Sequence, residues 1–355
     1  MSELPGDLVE EILCRVPATS VKQVRSTCKR WNRLFNDKRI IRKHCDKSAK
    51  QFMVLMLTNS CTIIPMSIIN LHGTPSVKVK REVRLLDPLY SNSAYQPYTL
   101  EVFHCDGLLL CTSNDKSRVL VYNPLTNQSR CIQFNIRYDG CNYFFLGYNQ
   151  NNKSCNKSYK VLSFDRGGGT NSVTIYELKS DSYRILDDGN NPGWLKINGQ
   201  EKLGRHVILP YQCQEYENLN VSVVKEEKLS VALQRGTTSK TEIWVTDEID
   251  ETKAVSWSKV LALDLSCDYE ITDHGSFSLD EEKKVVVCCE TWCDPQDWKK
   301  SKEMIYIVGE DSKVTELDLG VDITGICGTA IRNYTPSLVQ IELDGPMEAK
   351  EKYSM

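Results

Sequence analysis

Val119-Leu120-Val121-Tyr122-Asn123-Pro124-Leu125-Thr126-Asn127-Gln128-Ser129-Arg130-Cys131-Ile132 returns in outline at Val173–Leu186 (VTIYELKSDSYRIL) and Met304–Leu317 (MIYIVGEDSKVTEL). In each copy a tyrosine (Tyr122, Tyr176, Tyr306) ends an apolar run, and a polar residue stands five positions on (Asn127, Asp181, Asp311). A return run begins about eight positions on, at Arg130, Arg184 and Val314. Alternating β-formers around a short polar turn are the pattern of a hairpin. Trp244 in TEIWVTDEID (Thr241–Asp250) begins a fourth copy with a longer tip, which returns at SWSKVLAL (Ser256–Leu263). The anchors are 54, 68 and 62 residues apart. Hairpins at that interval predict a β-propeller, whose blades take ~40–50 residues before loop insertions. One hairpin cannot cover its own apolar face, so neighbouring blades must do so. A pair of packed β-sandwiches is the alternative.

Outward from these copies, the chain after about residue 50 holds more runs of the same kind. They include LLLCTS (Leu108–Ser113), YKVLSF (Tyr159–Phe164), NVSVV (Asn220–Val224), KLSVALQ (Lys228–Gln234) and KVVVCCE (Lys284–Glu290). No helical stretch of ten or more residues interrupts them, which excludes an alternating βαβ architecture. Phe52–Leu71 is long enough to span a membrane, but Thr58-Asn59-Ser60, Pro65, Ser67 and Asn70 divide it. Two core strands joined by a turn are predicted there, and no membrane partner.

Composition sets the outer limits. The 355 residues are 41% apolar and 26% charged, ordinary globular material with a prior of two domains. Forty-four basic against 47 acidic residues leave a net charge of −3, against a general nucleic-acid binder. Fifteen cysteines are scattered without one CxxC pair, so no zinc finger or ribbon is expected. The acidic opening MSELPGDLVEE has no signal-peptide core. The cysteines therefore read as small apolar residues in a reducing cytoplasm or nucleus.

The first 47 residues follow a different period. Leu8, Ile12, Leu13 and Val16 share one helical face that ends at Pro17, with Asp7 as the expected N-cap. Val21, Val24, Cys28, Trp31 and Phe35 continue at 3- and 4-residue spacing, as one or two short helices, and Ile40, Ile41 and His44 suggest a last one. This region carries 11 basic and 6 acidic residues.

Leu4-Pro5-x-Asp7-Leu8-x-x-Glu11-Ile12-Leu13-x-Arg15-Val16-Pro17 resembles the opening of the F-box. Ser20-Val21-x3-Arg25-x2-Cys28-Lys29-x-Trp31-x2-Leu34-x2-Asp37 is similar to its continuation. Valine at 16 and 21, Thr27 and Ile40 depart mildly from the family pattern. The resemblance implies docking on a Skp-family adaptor, and through it a cullin and a RING protein. It implies apolar contact or framing from Leu4, Pro5, Leu8, Ile12, Leu13, Val16, Pro17, Val21 and Cys28. Trp31 is either a hot spot of that interface or a pin within the module. A helical unit of this size cannot bury its own apolar surface, which fits a module completed by a partner.

The rest resembles the F-box-associated interaction domain of plant F-box proteins, through HCDGLLLC (His104–Cys111), VYNPLTNQSR, YKVLSF with VTIYELKSDSYR, LSVALQR, EIWVT, VSWSKVLALDL and FSLDEEKKVVV. One departure stands out. After Trp194 the family runs on through a further strand, whereas this chain passes from Asn198-Gly199 to His206-Val207-Ile208-Leu209-Pro210. About half a blade, some twenty to thirty residues, is expected to be missing near 195–215. The domain reading is an F-box at 1–47, a propeller-like β-domain at 48–345 and a polar tail at 346–355.

Candidate catalytic patterns have plainer readings in these elements. Gly167-Gly168-Gly169 lies between two strands without the lysine and helix of a phosphate loop, so a hairpin tip is expected. His104-Cys105-Asp106 sits on a strand, where neighbouring side chains diverge, and Asp106-Gly107 reads as a turn. No cofactor, metal or catalytic set is expected. Two loops have the composition of recognition surfaces: one with Tyr90, Tyr95 and Tyr98, the other with Trp292 and Trp298. The expectation is a non-catalytic substrate receptor of a ubiquitin ligase, in the cytoplasm or nucleus, with an unknown protein as target. The alternatives are a small-molecule or glycan-binding propeller with a regulatory F-box, and a decoy that no longer recognises a target.

Overall fold

Pro5, with φ at −51°, stands at the N-cap of helix α1 (Gly6–Leu13), two residues before the expected Asp7. Asp7 lies instead in the first turn, where negative charge favours the helix dipole. The computed structural model describes residues 4–48, 51, 53–58, 62–69, 76–79, 83–84, 98–113, 116–134, 141–150, 157–167, 170–186, 217–224, 228–235, 240–247, 255–265, 276–292, 302–317 and 330–341.

A 3-10 turn (Ala18–Ser20) leads into α2 (Val21–Thr27). Cys28 then takes extended backbone angles, φ −155° and ψ 154°, and separates α2 from α3 (Lys29–Leu34). Helix α4 (Lys38–Lys47) is capped by Asp37, whose carboxylate accepts from the Arg39 amide at 2.8 Å. The four helices enclose a small core of Val9, Leu13, Cys14, Val21, Phe35 and Ile40.

Strands follow. They are β1 (Met53–Thr58), β2 (Thr62–Ile69), β3 (Ser76–Val79), the short β4 (Val83–Arg84), β5 (Tyr98–Cys105), β6 (Leu108–Ser113), β7 (Arg118–Asn123) and β8 (Gln128–Gln133). Then come β9 (Cys141–Gln150), β10 (Lys157–Gly167), β11 (Thr170–Glu177), β12 (Ser182–Leu186), β13 (Glu217–Val224), β14 (Lys228–Arg235), β15 (Lys240–Thr246) and β16 (Trp257–Asp264). The last are β17 (Ser276–Asp280), β18 (Val285–Trp292), β19 (Lys302–Val308), β20 (Val314–Leu317) and β21 (Ala330–Tyr334). The described residues form five antiparallel sheets, four of them four strands in chain order: β5–β8, β9–β12, β13–β16 and β17–β20. In the fifth, β21 pairs with β1, so the last strand completes the sheet begun by the first. The apolar stretch at 52–71 is the expected strand pair, with Val54 opposite Met66 and Thr58 opposite Thr62.

The four sequence copies are the hairpins between the third and fourth strands of the four ordered sheets. In two of them the polar residue five positions after the tyrosine is held by the tyrosine itself. Tyr122 Oη donates to Asn127 Oδ1 at 3.0 Å, and Tyr176 Oη to Asp181 Oδ1 at 2.5 Å. Asn127 and Asp181 are also the last residues of four-residue loops, with φ of 59° and 52°. That left-handed geometry suits residues with short polar side chains. The third copy has one more loop residue, and the left-handed position falls on Ser312 instead of Asp311.

The chain divides into two compact units. One comprises residues 1–49, 107–192 and 337–355, the other residues 50–106 and 193–336. In the first, Leu108, Leu110, Val119, Val121 and Ile132 meet Phe144, Val161 and Tyr176 of β9–β12 in one core. In the second, β18 is buried on both sides. Val286 and Cys288 pack with Ile243, Leu261 and Leu263, while Val285, Val287 and Cys289 pack with Val54, Met56 and Ile331. A strand covered on both faces needs a continuous apolar run, which is why VVVCC does not alternate with polar residues.

Candidate functional site

Helix α1 divides the apolar residues between two faces. Val9 and Leu13 point into the helical core, Leu13 being only 2% exposed. Leu4, Leu8 and Ile12, spaced four apart, keep 57%, 51% and 55% of their surface in solvent. Residues at i and i+4 stack along one side of a helix, so Leu8 and Ile12 form an apolar stripe on α1, with Leu4 and Pro5 exposed just ahead of it. Scattered single exposed leucines are ordinary, but an aligned row on one helix face is a surface awaiting cover.

The stripe is presented by a braced helix. Arg39 of α4 donates two parallel hydrogen bonds to Glu10, at 2.9 and 2.8 Å, and these hold the Glu10 carboxyl below the usual carboxylate range. Next to it, Glu11 accepts from Lys47 at 2.9 Å and pairs with Arg15 at 2.6 Å, with the same direction of shift. Glu10 and Glu11 thus both tie α1 to α4. From below, the buried His44 ring lies edge-on to Phe35, with centroids 5.9 Å apart. Its Nε2 sits 2.7 Å from the Val16 carbonyl. A carbonyl can only accept, so Nε2 carries the proton, and buried Nδ1 meets no partner among the described residues. Burial lowers the pKa of His44, and the hydrogen bond to Val16 opposes that only in part.

The other residues named from the resemblance have different places. Val21 is buried and Val16 half-buried against the module's own core, and Pro17 is the N-cap of the 3-10 turn. Trp31 is half-buried against the same core. Cys28 is exposed, and its Sγ accepts from the Trp31 amide at 3.4 Å as the N-cap of α3. The sequence reads Cys28 as apolar filler; its position at a helix start is the signal that could have shown its capping role. Buried Cys14, Cys288 and Cys289 do fill cores.

Of the proposed recognition loops, Tyr90, Tyr95 and Trp298 lie outside the described residues. Tyr98 opens β5 and Trp292 closes β18, with their side chains also outside the description. Glycine 167 pairs with Thr170 as β10 turns back into β11, a hairpin tip. Asp106 and Gly107, with φ of 51° and 81°, form the turn expected after His104-Cys105. Among the described residues no three His, Cys, Asp or Glu side chains gather as a metal set, and no helix is long and apolar enough to cross a membrane.

Residues 1–43 match the family model of the F-box domain, and residues 53–200 and 199–341 match that of the F-box associated beta propeller domain. The chain belongs to the F-box proteins. Its F-box relatives in Arabidopsis thaliana include the F-box/kelch-repeat protein At3g44120, 47% identical with 99% of each chain covered. F-box protein At2g07140 is 48% identical, with 97% of this chain and 98% of that one covered. F-box protein ETP2 is 47% identical, with 97% of both chains covered. For this F-box protein the braced stripe on α1 is a surface feature of the F-box domain itself, and the five sheets belong to the propeller family's domain.

Proposed function

We propose that this F-box protein is a non-catalytic substrate receptor of an SCF-type ubiquitin ligase. Leu4, Pro5, Leu8 and Ile12 dock a Skp-family adaptor, which brings the cullin and RING subunits, and the β-domain captures a target protein in the cytoplasm or nucleus. The exposure of Leu4 ahead of α1 and of Leu8 and Ile12 along one side of it carries this reading. Leu13, Val16, Pro17 and Val21 frame the stripe from within, Cys28 sets the start of α3, and Trp31 pins the module while its outer part borders the interface. Ubiquitin transfer then needs no bond chemistry from this chain, because holding a target lysine near the ubiquitin thioester makes the encounter effectively intramolecular.

The test is adaptor capture by the full chain. Leu8→Ala with Ile12→Ala removes the stripe without touching the core, so capture is lost while the unfolding midpoint stays put. Unchanged capture by that double variant sinks the docking assignment.

A second reading has support of its own: this member docks the adaptor but has lost target capture. The propeller model matches in two segments, residues 53–200 and 199–341, that meet within the stretch the sequence reads as shortened. Alignments to the relatives span 391, 385 and 383 positions, against 355 residues here. Between β12 and β13 lie residues 187–216, fewer than any of the four-stranded sheets takes. Sequencing the transcript across codons 190–215 separates a real deletion from a missed exon.

A further inference from the structure

The end of the described chain touches both parts of the first compact unit. Residues 337–341, outside any helix or strand, pass between the helical module on one side and the β6–β8 strands on the other. Leu338 packs against the F-box core of Val9, Leu13, Phe35 and Ile40. Its neighbour Val339, and Ile341, are buried in the core built by Leu108, Val121, Phe134 and Tyr176. Leu338 faces one core and Val339 and Ile341 the other, so one short strap serves two cores.

Its backbone is held as firmly as its side chains. Asn123 Nδ2, at the end of β7, donates to the carbonyls of Ser337 at 3.1 Å and Val339 at 2.7 Å. The Ile341 amide donates to Gln128 Oε1 at 3.1 Å. Glycine 107 leaves room for the strap: a Cβ there would lie 2.3 Å from the Ser337 Cβ and 2.8 Å from its amide nitrogen. From the helical side, Ser337 Oγ donates to Cys45 Sγ at 3.7 Å, and Cys45 itself packs on the sheet core.

We propose that residues 337–341 are a clamp that fixes the F-box at one angle on the β6–β8 strands. The receptor then presents the β6–β8 strands to the ligase as a rigid extension of the adaptor. That consequence rests on the docking reading above; the clamp does not.

The full chain provides the test. Ser337→Cys places a second thiol beside Cys45. Mild oxidation should link the two within one chain, seen by mass spectrometry as a 45–337 peptide pair, with adaptor capture unchanged. Absence of that pair overturns the clamp. Dyes on genetically encoded labels at Lys29 and Gln133, both exposed, give the second readout. The unaltered chain should show one narrow distance distribution, broadened by Leu338→Ser and by Asn123→Ala. Asn123 also supports its own turn by accepting from the Leu125 and Thr126 amides, so Leu338→Ser is the cleaner variant. A distribution unmoved by both variants overturns the proposal. A chain that forms the crosslink but captures no adaptor refutes the receptor reading and leaves the clamp in place.

Discussion

Leu8 and Leu13 of α1 are five residues apart and have opposite fates, whereas Val286 and Val287 of β18 are adjacent and share one. In the helix, one face is core and the other is solvent. In the strand, both faces are core because a neighbouring sheet covers each. Sheets of the β-domain complete one another; the helical module keeps an apolar face that nothing described in this chain completes. Function in the two regions must therefore be sought differently: on the uncovered face of α1, and on loops at the ends of strands.

The largest effects should come from erasing what is covered. Phe277→Ala, in the core shared by β13–β16 and β17–β20, should cost about 3–5 kcal/mol, and Leu13→Ala about 2–5 kcal/mol. Leu8→Ala and Ile12→Ala should each stay within about 0.5 kcal/mol. Urea unfolding curves of the four variants test this, and a destabilising Leu8→Ala would break the contrast.

Much of this contrast is legible in the sequence. The change of period near residue 50 separates helices from strands, and the tyrosine-anchored copies mark four hairpins. The sequence is less explicit where distant residues meet. Ser337-Leu338-Val339 reads as one more β-domain segment, because its contact with the F-box spans nearly the whole chain. The spacing from Tyr122 to Asn127 marks a turn, yet says nothing of the hydroxyl that holds it. Asp7 looks like a cap, but Pro5 already has suitable backbone angles two residues earlier.

Next in size is a response to acid that both regions should share. His104, edge-on to Tyr334, has its pKa pushed down to about 4 by burial, against a hydrogen bond to the Thr335 backbone; that of His44 is lowered too. The unfolded chain, with histidines near 6.5, takes up protons before the native one. Stability is therefore full above pH 6.5 and falls as the pH drops, for His104 until about pH 4, by at most about 3 kcal/mol. Unfolding midpoints at pH 7.5 and 5 measure this. His104→Gln should flatten part of the slope, and an unchanged slope would remove His104 from the account.

Smallest is the cap of α3. Cys28→Ala should cost about 0.5–1 kcal/mol and Cys28→Ser should largely restore it, since a hydroxyl accepts from the Trp31 amide better than a thiol does. Equal stability of the two variants would mean that the sulfur does nothing there.

The pairing of β21 with β1 also bears on how the protein is made. Strand β1 leaves the ribosome some 270 residues before its partner. At 5–20 residues per second, its unpaired edge waits roughly 14–55 s for the strand that closes it. An open edge of Val54, Leu55 and Met56 invites pairing with other chains during that time. Chaperone supply during synthesis, more than the stability of the finished fold, should set how much of this protein a cell accumulates.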